Sequence, residues 1–346
     1  MKYCFLILCL LALFIPLACS NVPPTYSTDN GRFHNGASTP TSTPTNLGGF
    51  TSTPTATFQP TPAFVNTFTA NAPNGIVYAN SLIYVAQGDG AAVSQVQVFN
   101  SSTNASTWTW TGSGGTLFQY PNGIAVNSAG STVYVLDVNN TSGNGTVYAL
   151  APAATPTPIT AWTTYNGTNL SDPGGIALDS TGNVYVADTL NGWLEEFGPT
   201  GNTIAYWSGD GTITPVAVAV DSANNIYVAD GNNEKLWVIK ASGSTFTVTT
   251  SWPLPVSYSP YISFYGLALD SSANVYVADY YKSQVEVYTS AGIQLGQFAG
   301  NETGATPLAG PDALLLYNSN IYVADYDSNT GSTFAGIIEI FGPNSY

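Results

Sequence analysis

The side chains that most often do chemistry are scarce in this chain. His34 is its single histidine, and Cys4, Cys9 and Cys19 are its only cysteines, so nothing beyond residue 34 carries an imidazole or a thiol. Ser-His-Asp and Cys-His nucleophile arrangements are therefore excluded from the body of the protein, as are zinc or copper held by His or Cys. No catalytic residue is assigned. What remains is carboxylate: 20 Asp and Glu stand against five Lys and Arg, for a net charge of −15. Two acidic series recur. Asp137, Asp188, Asp230, Asp279 and Asp325 each end a tetrapeptide, and Asp179, Asp221 and Asp270 each open a turn. Catalytic sites are singular whereas architecture is periodic, so both series are expected to be structural, a carboxylate at a strand end accepting backbone N–H groups of the turn that follows it.

Two sets of residues break the periodicity. The first is Asn74, Asn122 and Asp312, which with Gly174, Val216 and Tyr265 fill the variable place of a repeated signature. One carboxylate and two amides would make a cation site or a polar clamp, and calcium or magnesium is the class such oxygens suit. Asn and Asp also simply suit turns. The second set is aromatic: Tyr258, Tyr261, Tyr265, Tyr280, Tyr281 and Tyr326, beside Asp327. Tyrosine offers a flat apolar face and a hydroxyl at small entropic cost, which suits a protein, peptide or glycan ligand. The alternative is that these rings pack on one another.

The elements that must position these groups are repeats. Tyr84-Val85-Ala86-Gln87 returns as Tyr134-Val135-Leu136-Asp137, Tyr185-Val186-Ala187-Asp188, Tyr227-Val228-Ala229-Asp230, Tyr276-Val277-Ala278-Asp279 and Tyr322-Val323-Ala324-Asp325, at intervals of 50, 51, 42, 49 and 46 residues. A second signature precedes each copy, as in Pro73-Asn74-Gly75-Ile76 and Pro121-Asn122-Gly123-Ile124. Turns such as Asp179-Ser180-Thr181-Gly182-Asn183 separate the two. Repeats of this length with short strands mean blades, so the chain is expected to be all-β, a six-bladed β-propeller over 64–346. Blade three reads as strands 176–178, 184–187, 194–197 and 203–207. Trp110, Trp207 and Trp252 fall in fourth strands, where they are expected to pack. The sixth blade lacks a fourth strand, and residues 64–68 are expected to pair with 337–341 and close the ring.

The paired signatures resemble NHL repeats, whose blades read Pro-x-Gly-Ile-Ala-Val-Asp and then Val-Tyr-Val-Ala-Asp. The family's following Asn survives as Asn191 and Asn233, but its arginine is absent, with Lys235 the nearest substitute. Members that bind RNA do so through a basic face, whereas this ring carries 19 acids against Lys235, Lys240 and Lys282. No nucleic-acid partner is expected, since a polyanion needs clustered cations. Related six-bladed lyases rely on histidine, which the ring lacks. Gluconolactonase-like propellers use a hard cation held by oxygen ligands, and that route stays open.

Lys2, the apolar run 5–17 and Ala18-Cys19 have the layout of an export signal too short to span a membrane comfortably. Ile15-Pro16-Leu17-Ala18-Cys19-Ser20 resembles a bacterial lipoprotein signal, with Pro16 where that motif usually has Leu. The resemblance implies lipidation of Cys19 and a membrane anchor; ordinary cleavage or a retained segment are the alternatives. Residues 20–63, rich in Thr and Pro, read as a stiffened tether containing His34. Eight Asn-x-Ser/Thr matches, Asn100 to Asn301, follow from the abundance of Asn and Thr.

Composition sets the remaining limits. Charged residues are 7% of the chain, against roughly 25% in an ordinary domain, while 44% apolar content supports a large core and excludes disorder of the whole. The reading that gathers these features is an exported, envelope-anchored, non-catalytic recognition or scaffold protein. Its alternatives are a cation-dependent lactonase-like or lyase-like enzyme and a structural subunit of an envelope assembly or adhesin.

Overall fold

The computed structural model describes residues 62–88, 94–255, 264–300, 307–326 and 336–342, and two short paired strands, Ser27–Asp29 and Arg32–His34. Those two strands lie within the stretch read as a tether, and His34 ends the second. Cys19, Tyr258, Tyr261 and Asp327 lie outside the described residues.

Among the described residues every regular element is a strand, and six antiparallel four-stranded sheets form the blades. Blade three runs Gly175–Leu178, Val184–Asp188, Trp193–Phe197 and Thr203–Trp207, within a residue of the expected bounds. Blade six runs Pro311–Tyr317, Asn320–Asp325 and Ile337–Gly342, and its fourth strand is Ala63–Thr69 from the other end of the ring. Phe64 pairs with Phe341 and Thr69 with Ile337, so the closure expected from the missing strand is the one found.

Each repeated tetrapeptide alternates along a strand, and the alternation places it between two neighbours. In blade three Tyr185 and Ala187 pack toward blade four, while Val184 and Val186 pack toward blade two. Blades four and five repeat the arrangement, giving one apolar seam between each pair of adjacent blades. A fully buried aliphatic side chain is worth about 1.5–3 kcal/mol, so the seams dominate stability. Trp110, Trp162, Trp207 and Trp252 close the outer end of four blades, all buried. Trp162 was not anticipated from sequence. Two of these indoles lie on a glycine of the next blade's outer turn: a Cβ on Gly201 would sit 2.5 Å from Trp162, and one on Gly292 would sit 2.3 Å from Trp252.

The turns at the opposite ends of the inner strands follow one design. Asp221 accepts the N–H groups of Ala223 and Asn225 at 2.9 and 2.8 Å, and the Asn225 amide at 2.7 Å. Asp179 and Asp270 do the same in blades three and five. This acidic series is a set of turn clamps.

Candidate functional site

The two faces of the ring differ. One carries the turns just described. The other carries the loops entering each first strand and those joining second to third strands; it is the loop face, and the central channel opens on it.

Five of the six first strands begin with a bulge, between Pro73 and Gly75, Pro121 and Gly123, Pro215 and Ala217, Phe264 and Gly266, and Pro311 and Ala313. A bulge re-aims the extra residue out of the ladder. Asn74 consequently donates to Gly88 O at 2.8 Å and to Pro121 O of the next blade at 3.2 Å. Asn122 donates to Pro173 O at 2.9 Å. Blade three lacks the bulge and has Gly174 at this place; there Thr189 reaches Pro215 O at 2.9 Å instead. These side chains clasp one blade to the next.

A cavity of about 80 Å³ opens in the channel mouth, lined by Asn74, Asn122, Gly174 and Tyr265 above a floor of Ile76, Ile124, Ile176, Val218, Leu267 and Leu314. Val216 and Asp312 are buried and do not line it. Of the expected set, Asn74 and Asn122 line the cavity and Asp312 does not. Among the described residues no three His, Cys, Asp or Glu side chains group to hold a metal. A hard cation wants six to eight oxygen ligands; above the aliphatic floor the lining side chains offer only the amide oxygens of Asn74 and Asn122 and the Tyr265 hydroxyl, too few to hold one.

The strand-end acids are all buried on the loop-face side. Asp137 accepts Tyr120 N–H at 2.7 Å and Gln119 N–H at 3.0 Å, and burial raises its pKa to about 6. Asp230 accepts Thr214 N–H at 3.0 Å, the Asn233 amide at 2.8 Å and the Trp237 indole at 3.0 Å. Asp325 accepts Gly310 N–H at 2.6 Å. The carboxylates thus hold the loop entering their own blade as well as the turn that follows; only the latter was expected.

Sequence reasoning missed a second position. Gln97, Tyr148, Glu195, Trp237, Glu286 and Glu339 all pair with the Val of the tetrapeptide, so they share a face with the acid. In blades three, four and five the spacing from Asp is seven residues, a signal present in the sequence. Burial, and then the charge of Asp188, raises the pKa of Glu195 to about 9.

The expected tyrosines come together in part. Tyr265 and Tyr280 meet edge to face with ring centroids 5.5 Å apart, and Tyr280 meets Tyr281 at 5.5 Å. All three are half-buried beside the channel mouth. Tyr280 lies over Gly310, where a Cβ would sit 2.6 Å from its ring. Tyr326 is buried, and its backbone N–H bonds Gly310 O at 2.9 Å.

Comparison with known proteins matches residues 74–220 to the SMP-30/Gluconolactonase/LRE-like region. No curated protein sequence gives a match. Among solved structures, virginiamycin B lyase from Staphylococcus aureus superposes with a TM-score of 0.55 at 15% identity, over 80% of this chain and 88% of that one. A protein of unknown function from Bacteroides thetaiotaomicron superposes with a TM-score of 0.54 at 17% identity, over 81% and 70%. The chain shares the propeller fold with both, and its residues 74–220 are similar to a gluconolactonase-like region.

Proposed function

We propose that the protein is an envelope-anchored recognition propeller that binds a protein, peptide or glycan on its loop face, around Tyr265, Tyr280 and Tyr281, without transforming it. The NHL-type reading of the repeats and lipidation at Cys19 belong to this proposal. The observation that carries it is the polarity of the closing strand. Ala63 pairs with Gly342 at the end of the third strand, on the turn face, and Thr69 pairs with Ile337 on the loop face. The chain before residue 63 therefore departs from the face opposite the tyrosines. A tether attached there holds the aromatic surface away from the anchor.

An acidic ring with three lysines favours a neutral or cationic ligand over an anionic one. Retention on glycan and peptide arrays, followed by Tyr265→Ala and Tyr281→Ala together, tests the reading. Loss of retention with an unchanged melting temperature is expected. Retention that survives both substitutions overturns the placement.

The gluconolactonase-like match over 74–220 favours a second reading, a cation-dependent lactonase-like enzyme. Against it stand the aliphatic floor and a cavity lining that does not include Asp312. Lactone hydrolysis that requires calcium or magnesium and is abolished by chelator would establish it over the first.

A further inference from the structure

Blades three and five contain the same pair of buried acids and neutralise it differently. In blade five Asp279 and Glu286 are 0% and 1% exposed, on adjacent strands and one face. Lys282 lies between them, its Nζ 3.2 Å from Asp279 Oδ2 and 3.2 Å from Glu286 Oε1. In blade three Asp188 and Glu195 hold the matching positions, both 0% exposed. Three residues after the acid, where blade five has Lys282, blade three has Asn191. Its amide donates to Asp188 Oδ2 at 2.7 Å, and Ser171 N–H donates to Asp188 Oδ1 at 2.8 Å. Neither oxygen of Glu195 meets an N–H or O–H donor.

Among the described residues the surroundings offer no cation. On blade three Trp193 pairs with Asp188, and Tyr206 lies across from Glu195; Glu196 points to the other face. From the blade-two side comes Tyr165, and blade three's own entry loop brings Ser171 and Asp172. The ring's other lysines, Lys235 and Lys240, sit on the third strand of blade four. Two carboxylates in a dry seam cannot both stay ionised without a counter-charge.

We infer that Asp188 and Glu195 share one proton that does in blade three what Lys282 does in blade five, making this pair a pH-sensitive latch on the seam between blades two and three. Loss of the proton leaves two like charges in the seam and loosens it. The sign follows from the raised folded-state pKa of Glu195: an unfolded chain releases this proton in the ordinary carboxylate range, so the folded state loses ground as pH rises toward about 9.

The test uses the full-length protein. The melting temperature is followed from pH 5 to pH 9 for the wild type, for Glu195→Gln and for Asn191→Lys, with hydrogen exchange read blade by blade. The wild type should lose about 5 °C or more across that range, with exchange rising first around Ser171 and in Trp193–Phe197. Both variants should flatten the profile, one by removing the charge and the other by supplying the ammonium. If Glu195→Gln does not fold, Asn191→Lys carries the test alone. A wild-type profile already flat, a variant profile as steep as the wild type, or exchange rising evenly around the ring overturns the inference.

Discussion

Phe64 lies in register with Phe341, 277 positions later, with ring centroids 6.1 Å apart at 73°. That pair joins the ends of the ring. The seven-residue strand Ala63–Thr69 hydrogen-bonds to Ile337–Gly342, and Phe68 also packs on Phe99 of blade one at 4.7 Å. Without it blade six would expose a free edge and blade one would lose a contact.

Truncation is therefore expected to act as a step. Removing residues through Pro60 should leave the melting temperature unchanged, because the pairing begins at Ala63. Removal through Phe68 should unfold the ring or lower the midpoint by more than about 10 °C. Equal melting of the two forms would show that closure is dispensable.

The legible part of this protein was the part that repeats. Tyr-Val-Ala-Asp recurs at nearly constant spacing, and strand period two converts it directly into seams, so blade number and closure followed from the sequence alone. The channel mouth was less legible because its geometry depends on a bulge. Read as a plain ring, Asn74, Asn122 and Asp312 converge; with the register shifted after Pro73, Pro121 and Pro311, Asn74 and Asn122 turn to the next blade's backbone. Glu195 and Glu286 escaped notice for a different reason. Exposed acids are the ordinary expectation, and only the pairing opposite Val186 and Val277 shows that these two are buried.

The turn glycine beneath Trp252 should tolerate no side chain. Gly292 has φ +82 and a Cβ there would lie 2.3 Å from the indole. Gly292→Ala combines left-handed strain with displacement of a buried ring, for an expected loss of about 2–4 kcal/mol. Gly243, with φ +60 and open space around its Cβ, is the control. Its alanine variant should lose only about 1–2 kcal/mol. Denaturant unfolding of the two variants decides, and equal losses would remove the indole from the account.

Lys282 should be worth more than a surface lysine. Its ammonium bridges two carboxylates that are almost wholly buried, while its own side chain is 23% exposed. Lys282→Met strands Asp279 and Glu286 together, and an expected loss of about 2–4 kcal/mol at pH 7.5 follows. Lys282→Arg should retain most of the stability. A Met variant with wild-type stability at pH 7.5 would place the ion pair among those that contribute nothing.

The last prediction separates recognition from packing at the tyrosine cluster. Tyr280 is the middle ring, touching Tyr265 on one side and Tyr281 on the other, and it rests on the bare backbone of Gly310. The Gly310 backbone is also fixed from below, since its N–H bonds Asp325 at 2.6 Å and its carbonyl accepts Tyr326 N–H at 2.9 Å. Gly310→Ala therefore cannot relieve its clash, 2.6 Å to the ring, by moving the loop; the tyrosine must move. If the cluster is a recognition surface, this substitution should weaken array retention about tenfold or more, although residue 310 offers no new contact to a ligand. Tyr280→Phe, which keeps the ring and drops the hydroxyl, should retain the packing and lose only the hydrogen bonds made through that oxygen. Under a purely structural role the order reverses: Gly310→Ala lowers the melting temperature and Tyr280→Phe changes nothing measurable. Retention and melting measured on the same two variants distinguish these cases, because only a ligand-binding ring makes retention fall while the midpoint holds.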